Sequence, residues 1–171
     1  MPLTVHSICR APARTAASEF ASKGALVIHV PIQFSNDYKE ITQAVGVLAT
    51  IKELGLFRAG QQGSRNVAAL DRLECPIETV SGRTGFNAFR GTELDKLLRQ
   101  RGIRRVQLAG ASMAACIDST ARTAYELGYE VGILEDCVVS RSQAEHDLYC
   151  GMIFPQYSVV ATAKSIYEPR A

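Results

Sequence analysis

The segment that most constrains the fold is residues 106–136, whose pattern predicts a strand, a turn, a helix and a second strand. Residues 106–109 are apolar, and the phrase GASMAAC, from Gly110 to Cys116, leads from them into a helical pattern. A second apolar run follows and ends at Asp136. We therefore expect Cys116 in the first turn of a helix, where N–H groups and partial positive charge favour a thiolate and can hold an oxyanion.

Short apolar runs alternate with helical patterns along the rest of the chain. Such runs, without polar alternation, are typical of a parallel sheet that is covered on both faces. Repetition of strand, helix and strand requires right-handed crossovers. The sequence therefore predicts an α/β fold, a doubly wound three-layer α/β/α sandwich with a mainly parallel sheet, whose ligands bind at the carboxyl ends of the strands. The predicted strands are residues 25–30, 77–80, 106–109, 129–134 and 157–162, and the predicted helices are residues 92–101, 116–127 and 142–152, with a weaker helical pattern at 41–54 and a loop at 55–63.

Length and charge limit the classes of function. A chain of 171 residues is expected to form a single domain, residues 1–171, with a full hydrophobic core. The net charge of +2 gives little electrostatic support for a nucleic-acid partner. The basic cluster at residues 99–105 is interpreted as the solvated end of a helix. No apolar run reaches the roughly 18 residues of a membrane span, so we predict no membrane partner.

The five cysteines are Cys9, Cys75, Cys116, Cys137 and Cys150. Their number is odd and no Cys-x-x-Cys pair occurs, which does not fit a disulfide framework. The N-terminus lacks the pattern of a secretory signal, and a reducing cytoplasm is therefore predicted. The three cysteines at 75, 137 and 150 are interpreted as core or near-surface thiols.

Four segments carry a resemblance to the isochorismatase-like cysteine hydrolases. Residues 83–94 (RTGFNAFRGTEL) resemble the family's Lys-x-x-x-Ser/Asn-Ala-Phe-x-Gly-Thr-x-Leu segment. Residues 110–129 resemble its nucleophile turn and helix, and Glu135-Asp136 matches the end of the strand that follows. Residues 25–34 resemble its second strand, so the similarity covers residues 25–165.

The resemblance implies a Cys-Lys-Asp constellation that hydrolyses a C–N amide bond through a thioester-like intermediate, without a cofactor. In that chemistry the Cys attacks a carbonyl or imine-like carbon, the Asp is the general base and the Lys stabilises the charges on both. Carried onto this sequence, Cys116 takes the nucleophile position and Ala111-Ser112 takes the position of a cis peptide bond. The backbone N–H groups of Ser112 and Cys116 would then form the oxyanion hole. Some family members bind zinc after the second strand, but residues 32–37 contain no histidine, so no metal is predicted.

Two residues depart from the family pattern at this site. Arg83 stands where the family has its lysine, which keeps the positive charge but cannot shuttle a proton. Arg83 could instead stabilise the Cys116 thiolate or hold a substrate carboxylate through two hydrogen bonds. Met113 replaces the family's threonine and removes a hydroxyl near the site.

The family's aspartate has no counterpart at the end of a first strand. Residues 1–24 are short for the usual strand, loop and helix. Three explanations remain open: the chain is shortened at its N-terminus, the given start is internal to a longer product, or residues 3–8 form an abbreviated central strand with a helix at 13–23. The last arrangement would bring His6 or Cys9 near the place of the aspartate.

Two residues are candidate replacements for the missing base. The imidazole of His6 titrates near neutrality and could deprotonate Cys116, although an N-terminal histidine without a role is the simpler interpretation. Asp37 follows the second predicted strand, where an aspartate commonly serves only to stabilise a turn. His29, within an apolar strand, is interpreted as a core histidine.

Two functional classes follow from these observations. The first is an active cysteine hydrolase with Cys116 and Arg83 at its site and with Phe34, Phe86 and Phe89 as the walls of its pocket. The second is a non-catalytic family member with a ligand-binding or assembly role, since the family Asp and Lys are both missing. The resemblance also implies a homo-oligomer.

Overall fold

A single parallel sheet organises the chain, for which the computed structural model describes residues 3–6, 11–61 and 76–167. Its strands are β1 (Leu3–His6), β2 (Val27–His29), β3 (Ile77–Thr79), β4 (Arg105–Ala111), β5 (Glu130–Val139) and β6 (Val159–Ala161). The α-helices are α1 (Ala11–Ser22), α2 (Gly46–Glu53), α3 (Leu94–Gln100), α4 (Asp118–Glu126) and α5 (Gln143–Leu148). Met113–Ile117 and Tyr149–Ile153 are π-helical turns, and Phe154–Gln156 and Ser165–Tyr167 are 3₁₀ turns.

The strand order is β3-β2-β1-β4-β5-β6, and every neighbouring pair is parallel. The mainly parallel sheet predicted from the sequence is confirmed. β1 lies at the centre, where Leu3 pairs with Val27 of β2 and His6 pairs with Gly110 of β4. The predicted strand at residues 3–8 is thus present as β1, over residues 3–6, at the centre of the sheet. The strand order reverses between β1 and β4, so the crevice for a ligand lies at their carboxyl ends.

Helices cover both faces of the sheet and complete the three predicted layers. On one face, Leu98 of α3 and Ala121 of α4 share a buried cluster with Leu108 of β4. On the other face, Ala17 and Phe20 of α1 pack in a second cluster, to which β4 contributes a neighbouring residue, Ala109. Each fully buried Leu or Phe stabilises the fold by about 1.5–3 kcal/mol. These clusters fix the sheet as a platform for the loops at its carboxyl edge.

The structure refines several predicted boundaries. β5 continues to Val139, beyond the predicted end, and its pairing with β4 shifts register between Leu108 and Gly110. The helical pattern at 41–54 forms only the eight residues of α2, because Gly46 and the β-branched residues around it weaken the pattern. The predicted buried position of His29 is confirmed. Among the described residues, no helix is both long and apolar enough to cross a bilayer.

The basic cluster at residues 99–105 is largely neutralised by carboxylates. Arg99 pairs with Asp95, and Arg101 pairs with Glu78, each at 3.0 Å. Arg105 donates to the carboxylate of Glu130 at 2.6 Å. These are exposed ion pairs of the kind found on solvated surfaces, as the sequence interpretation predicted.

Candidate active site

Cys116 lies immediately beyond the carboxyl end of β4, on the crevice side of the sheet. The peptide bond between Ala111 and Ser112 is cis, at the position that the resemblance implies. Ser112 caps the π-helical turn Met113–Ile117, which holds Cys116 and continues into α4. A π-helical turn often occurs at a functional site because it changes the direction of the side chains in one turn of a helix.

The N–H groups around Cys116 converge on one carbonyl oxygen, that of Ser112. The N–H of Cys116 donates to it at 3.0 Å, that of Ile117 at 3.1 Å and that of Ala115 at 3.4 Å. A free N–H at Cys116 was expected from the sequence, whereas in the structure this N–H already donates to the Ser112 carbonyl oxygen. Cys116 is the fourth residue after the cap, so its N–H lies within reach of the cap carbonyl oxygen, as in the first turn of an α-helix. It could serve an oxyanion only as a shared donor.

Arg83 is the buried cation of the site, with only 1% of its surface exposed. Its Nε donates to the carbonyl oxygen of Gly85 at 2.9 Å and its Nη1 donates to that of Val30 at 2.8 Å. Its Nη2 donates to the carbonyl oxygen of Phe86. The guanidinium is thus fixed by main-chain acceptors on two loops, those after β2 and β3.

The same guanidinium is hydrogen-bonded to the side chain of Cys116. Burial lowers the pKa of Arg83, and its interaction with Cys116 acts against that decrease. An arginine remains protonated even so, so a positive charge is held next to the sulfur. The three carbonyl oxygens and Cys116 occupy four of the five N–H donors of the guanidinium, so Arg83 is poorly placed to hold a substrate carboxylate through two hydrogen bonds.

Two of the three predicted wall residues surround Cys116. Phe34 is buried in a small cluster that includes Cys116, and Phe86 is partly buried against that cluster. Phe89 lies elsewhere. It packs against the main core, and its ring stacks on that of Tyr129 with centroids 5.9 Å apart. Neighbouring positions of the 83–94 segment therefore face different surroundings. The other members of the Cys116 cluster are Ile32, Tyr38, Ile41, Ile51, Leu48 and Phe57.

Hydrogen bonds attach the 83–94 segment to the nucleophile helix. Thr120 of α4 is fully buried, and its Oγ1 accepts from the N–H of Ala88 at 3.0 Å. Asn87 Nδ2 donates to Oγ1 of Thr123, one turn further along α4, at 2.6 Å. These contacts set the position of Arg83 relative to Cys116. Thr120 was not predicted as a site residue, although a threonine within an apolar helix face is the signal that could have identified it.

The two candidate bases are His6, whose backbone alone is described, and Asp37, which is described in full. The backbone of His6 ends β1 and pairs with Gly110, close in the sheet to the turn that holds Cys116. The side chain of His6 and the whole of Cys9 lie outside the described residues. Asp37 is exposed, and its carboxylate accepts from Ser35 Oγ at 2.6 Å and from the N–H of Lys39 at 3.4 Å. These bonds, that from Ser35 first, lower the pKa of Asp37, which fits a turn aspartate better than a base.

The other described cysteines are less reactive than a nucleophile must be, because their pKa values are raised. Burial, followed by the charge of Asp136, raises the pKa of Cys137 to about 12. Burial, followed by the charge of Glu135, raises the pKa of Cys150 to about 11. Neither forms a disulfide, in agreement with their interpretation as core and near-surface thiols. Cys75 lies outside the described residues. In the described part of the chain, His, Cys, Asp and Glu side chains do not gather in threes as a metal site requires.

Comparison with known proteins assigns this architecture to a family. A family model of the isochorismatase domain matches residues 8–165. The chain is 32% identical over 151 residues to the uncharacterized isochorismatase family protein YecD of Escherichia coli O157:H7, a match covering 88% of this chain and 77% of that protein. It is 33% identical over 76 residues to the ureidoacrylate amidohydrolase RutB of Agrobacterium fabrum, covering 44% of this chain and 33% of that protein.

A solved structure shows the same fold. The crystal structure of an isochorismatase family protein from Desulfovibrio vulgaris superposes with a TM-score of 0.81 and 22% sequence identity. The match covers 96% of this chain and 95% of the other. Elements at the sheet centre and the nucleophile turn therefore belong to an architecture shared over almost the full length of both chains.

Proposed function

The chain belongs to the isochorismatase family, and we propose that it hydrolyses a C–N amide-type bond of a small molecule with Cys116 as nucleophile. The observation that carries the proposal is the buried contact between Cys116 and the Arg83 guanidinium. A thiolate is the nucleophilic form of cysteine, and a fixed cation next to the sulfur stabilises it. The similarity to a protein named as an amidohydrolase supports the same reaction class.

The reaction consists of two displacements at one carbonyl carbon. The Cys116 sulfur attacks that carbon, and the thiol proton passes to a base. The C–N bond then breaks, the nitrogen leaves as an amine or ammonia after taking up a proton, and a thioester to Cys116 remains. Water attacks the thioester, which releases a carboxylic acid and restores the thiol. Arg83 acts throughout as a fixed positive charge and transfers no proton.

The oxyanion of each tetrahedral intermediate is assigned to the backbone at the nucleophile turn. We assign the N–H of Ser112 as one donor and the N–H of Cys116 as a second, shared with the Ser112 carbonyl oxygen. The partial positive charge at the start of the helix adds to these bonds. Donors of this kind lower the barrier because they are already in place when negative charge develops.

His6 is proposed as the base in preference to Asp37. Its backbone ends the central strand and pairs with Gly110, two residues before Ser112. Asp37, by contrast, is exposed and has a lowered pKa. Replacement of His6 by Ala is expected to reduce kcat and to remove the neutral-pH limb of the rate profile, whereas Asp37→Asn is expected to leave both unchanged.

The walls of the pocket suggest what the acyl part of the substrate contacts. Phe34 and Phe86 share the Cys116 cluster, so the group that carries the amide carbonyl is proposed to be apolar where it meets them. Arg83 is not assigned to substrate binding, because its nitrogen atoms are engaged by main-chain carbonyl oxygens and by Cys116.

The test is release of amine or ammonia from a panel of small carboxamides, ureido compounds and carbamoyl compounds. Cys116→Ser is expected to reduce turnover by about a thousandfold or more, since a nucleophile loss generally removes several orders of magnitude in rate. Cys150→Ser is the matched control and is expected to retain full turnover. Absence of turnover across the panel would instead favour the non-catalytic role in ligand binding or assembly. Equal turnover by the Cys116→Ser variant would contradict the assignment of Cys116 as nucleophile.

A further inference from the structure

Two aromatic residues of the Cys116 cluster have a left-handed backbone. Tyr38 has a φ of 54° and Phe57 a φ of 59°, and in the described part of the chain they are the non-glycine residues with positive φ. This conformation is rare for a bulky residue, because its Cβ comes too close to the following carbonyl oxygen. Backbone strain of this kind persists where the surroundings enforce it, and it occurs preferentially at functional sites. Neither residue has a role in the reaction steps proposed at Cys116.

Main-chain hydrogen bonds join the segment that carries Phe57 to the loop after β2. The N–H of Phe34 donates to the carbonyl oxygen of Phe57 at 2.9 Å, and the N–H of Ala59 donates to that of Phe34 at 2.8 Å. Phe34 and Arg58 are therefore partners in an isolated parallel bridge. Since Phe34 is buried in the Cys116 cluster, this bridge holds the segment beside the site.

Tyr38 holds the same segment through its side chain. It is 3% exposed, and the centroid of its ring lies 5.6 Å from that of Phe34. Its hydroxyl donates to the carbonyl oxygen of Leu56, the residue before Phe57, at 2.8 Å. The guanidinium of Arg58, the residue after Phe57, lies 5.2 Å from the centroid of the Tyr38 ring. Tyr38 thus contacts both chain neighbours of Phe57, and these contacts restrict the backbone at Phe57.

The left-handed conformation changes the direction of the Phe57 side chain. Successive side chains of an extended chain point to opposite sides, so an extended Phe57 would face away from Arg58 and from its bridge partner Phe34. The positive φ interrupts this alternation, and Phe57 packs against the cluster that contains Phe34. The strained backbone therefore places an aromatic ring against the Cys116 cluster.

Phe57 lies where the Cys116 cluster meets solvent. Cys116 is 5% exposed, and most other members of the cluster are buried as well. Among the described hydrophobic members, those with partial exposure are Leu48, Phe57 and Phe86. A molecule that reaches the Cys116 sulfur through this cluster has to pass these side chains. Of the three, Phe57 is the one whose backbone is strained.

We propose that Phe57 is a specificity-determining residue of the hydrolase, whose ring narrows the approach to Cys116 and admits small amides in preference to bulky ones. Tyr38 is the positioning residue that holds Phe57 in place through the carbonyl oxygen of Leu56. This proposal rests on the proposed function, because it takes Cys116 as the reacting residue. Alkylation of the Cys116 sulfur requires no turnover, so the two proposals can fail separately.

The test compares alkylation of Cys116 by iodoacetamide and by its N-benzyl derivative, which has the same reactive carbon and a bulky amide group. Both rates are measured on the full chain by peptide mass spectrometry, and each is divided by the rate for glutathione. The ratio of the bulky to the small reagent cancels the thiolate fraction of Cys116, because both reagents attack the same thiolate. In the wild type this ratio is expected to be about tenfold below the glutathione value, a discrimination that apolar pockets commonly reach.

Four variants assign the effect to the Phe57 ring and to the Tyr38 hydroxyl. Phe57→Ala removes the ring and is expected to raise the ratio about tenfold. Phe57→Gly removes the ring and the backbone strain together and should give the same ratio, because the ring is what a bulky reagent meets. Tyr38→Phe loses only the hydroxyl, so the ratio should rise about threefold, the effect of one hydrogen bond. Leu54→Ala, at an exposed position near Phe57 and outside the cluster, is the matched control and should keep the wild-type ratio.

An unchanged ratio in Phe57→Ala would overturn the proposal, whether or not the protein hydrolyses amides. A wild-type ratio equal to that of glutathione, or an equal rise in Leu54→Ala, would overturn it as well. Thermal unfolding shows whether each variant is folded, and Tyr38→Phe, which loses a single oxygen atom, keeps the test decisive if Phe57→Ala is not. A raised ratio in Phe57→Ala without amide turnover by the wild type would support the role of Phe57 and count against the hydrolase alone.

Discussion

Arg83 and Cys116 are in direct contact, with the buried guanidinium hydrogen-bonded to the cysteine side chain and anchored by three main-chain carbonyl oxygens. The anchor explains how an arginine can occupy a position where the family has a lysine. A single ammonium group cannot reach acceptors that are spread around a planar guanidinium. The loops after β2 and β3 therefore depend on Arg83 for their positions, and Cys116 depends on it for a neighbouring positive charge.

Arg83→Met is expected to lower the free energy of unfolding by about 3 kcal/mol or more. It leaves the carbonyl oxygens of Val30, Gly85 and Phe86 without this donor, and each such loss in a buried site costs about 1–3 kcal/mol. The measurement is urea unfolding. Arg83→Lys restores the charge but not the three bonds. Its folded state should therefore be destabilised, while its Cys116 should be alkylated by iodoacetamide faster than Cys116 of the Met variant. Equal rates of Cys116 alkylation in the wild type and in Arg83→Met would contradict an electrostatic role of Arg83 in activating Cys116.

Thr120→Val is expected to destabilise the fold by about 1–2 kcal/mol and to reduce turnover. The substitution preserves the shape of the side chain but takes away the acceptor for the buried N–H of Ala88. Loss of that bond loosens the segment that carries Arg83. Thr50→Val, on the exposed surface of α2, is the matched control for thermal unfolding and for activity. Equal melting temperatures and equal activities for the two valine variants would mean that the hydrogen bond between Thr120 and Ala88 contributes nothing measurable to stability or turnover.

Residues 83–94 and the nucleophile turn show which parts of the site could be predicted from the sequence. The position of Cys116 was expected from the strand-turn-helix pattern, and the cis bond was implied by the family resemblance. A short central first strand was one of the alternatives that the sequence left open. The separation of Phe86 from Phe89 was not expected. It depends on the bonds that Thr120 and Thr123 make to Ala88 and Asn87, and such pairings between distant segments leave no periodic trace in a sequence.

Stability should fall at alkaline pH, in part through Cys137. Burial raises the pKa of this thiol to about 12 in the folded protein, whereas the unfolded chain has an ordinary thiol. The unfolded state therefore loses its proton first, and stability is lost as the pH rises from about 9 toward 12. Urea unfolding between pH 8 and 10.5 should show a shallower decline for Cys137→Ala than for the wild type. Parallel curves for the two proteins would contradict the assignment.

Gly132→Ala should destabilise the protein through Gln107 alone. The new Cβ would lie 1.8 Å from the Gln107 Oε1 and 2.6 Å from its Cδ, so the amide would have to move out of a buried position. Gln107→Ala removes the obstacle, and the double variant is expected to be more stable than the sum of the two single effects predicts, by about 1–3 kcal/mol. Additive effects in thermal or urea unfolding would mean that the two residues do not constrain each other.

The chemistry at Cys116 was harder to predict than its position. A residue in the first turn of a helix was expected to offer a free N–H, yet the N–H groups of Cys116 and Ile117 both donate to the Ser112 carbonyl oxygen. Which N–H groups remain free depends on the cap residue, and a shift of one residue changes the result. Ser112 is the cap because the π-helical turn begins at the next residue, and such a turn is not evident from residue types alone.

The most direct test is native-state alkylation with iodoacetamide at pH 7, with each cysteine quantified by peptide mass spectrometry. Cys116 is 5% exposed and Cys150 is more accessible, so access alone would favour Cys150. If Arg83 holds Cys116 as an activated nucleophile, Cys116 should react about tenfold faster than Cys150, whose raised pKa keeps it protonated. Modification of Cys150 first, or of both cysteines at the same rate, would contradict the account.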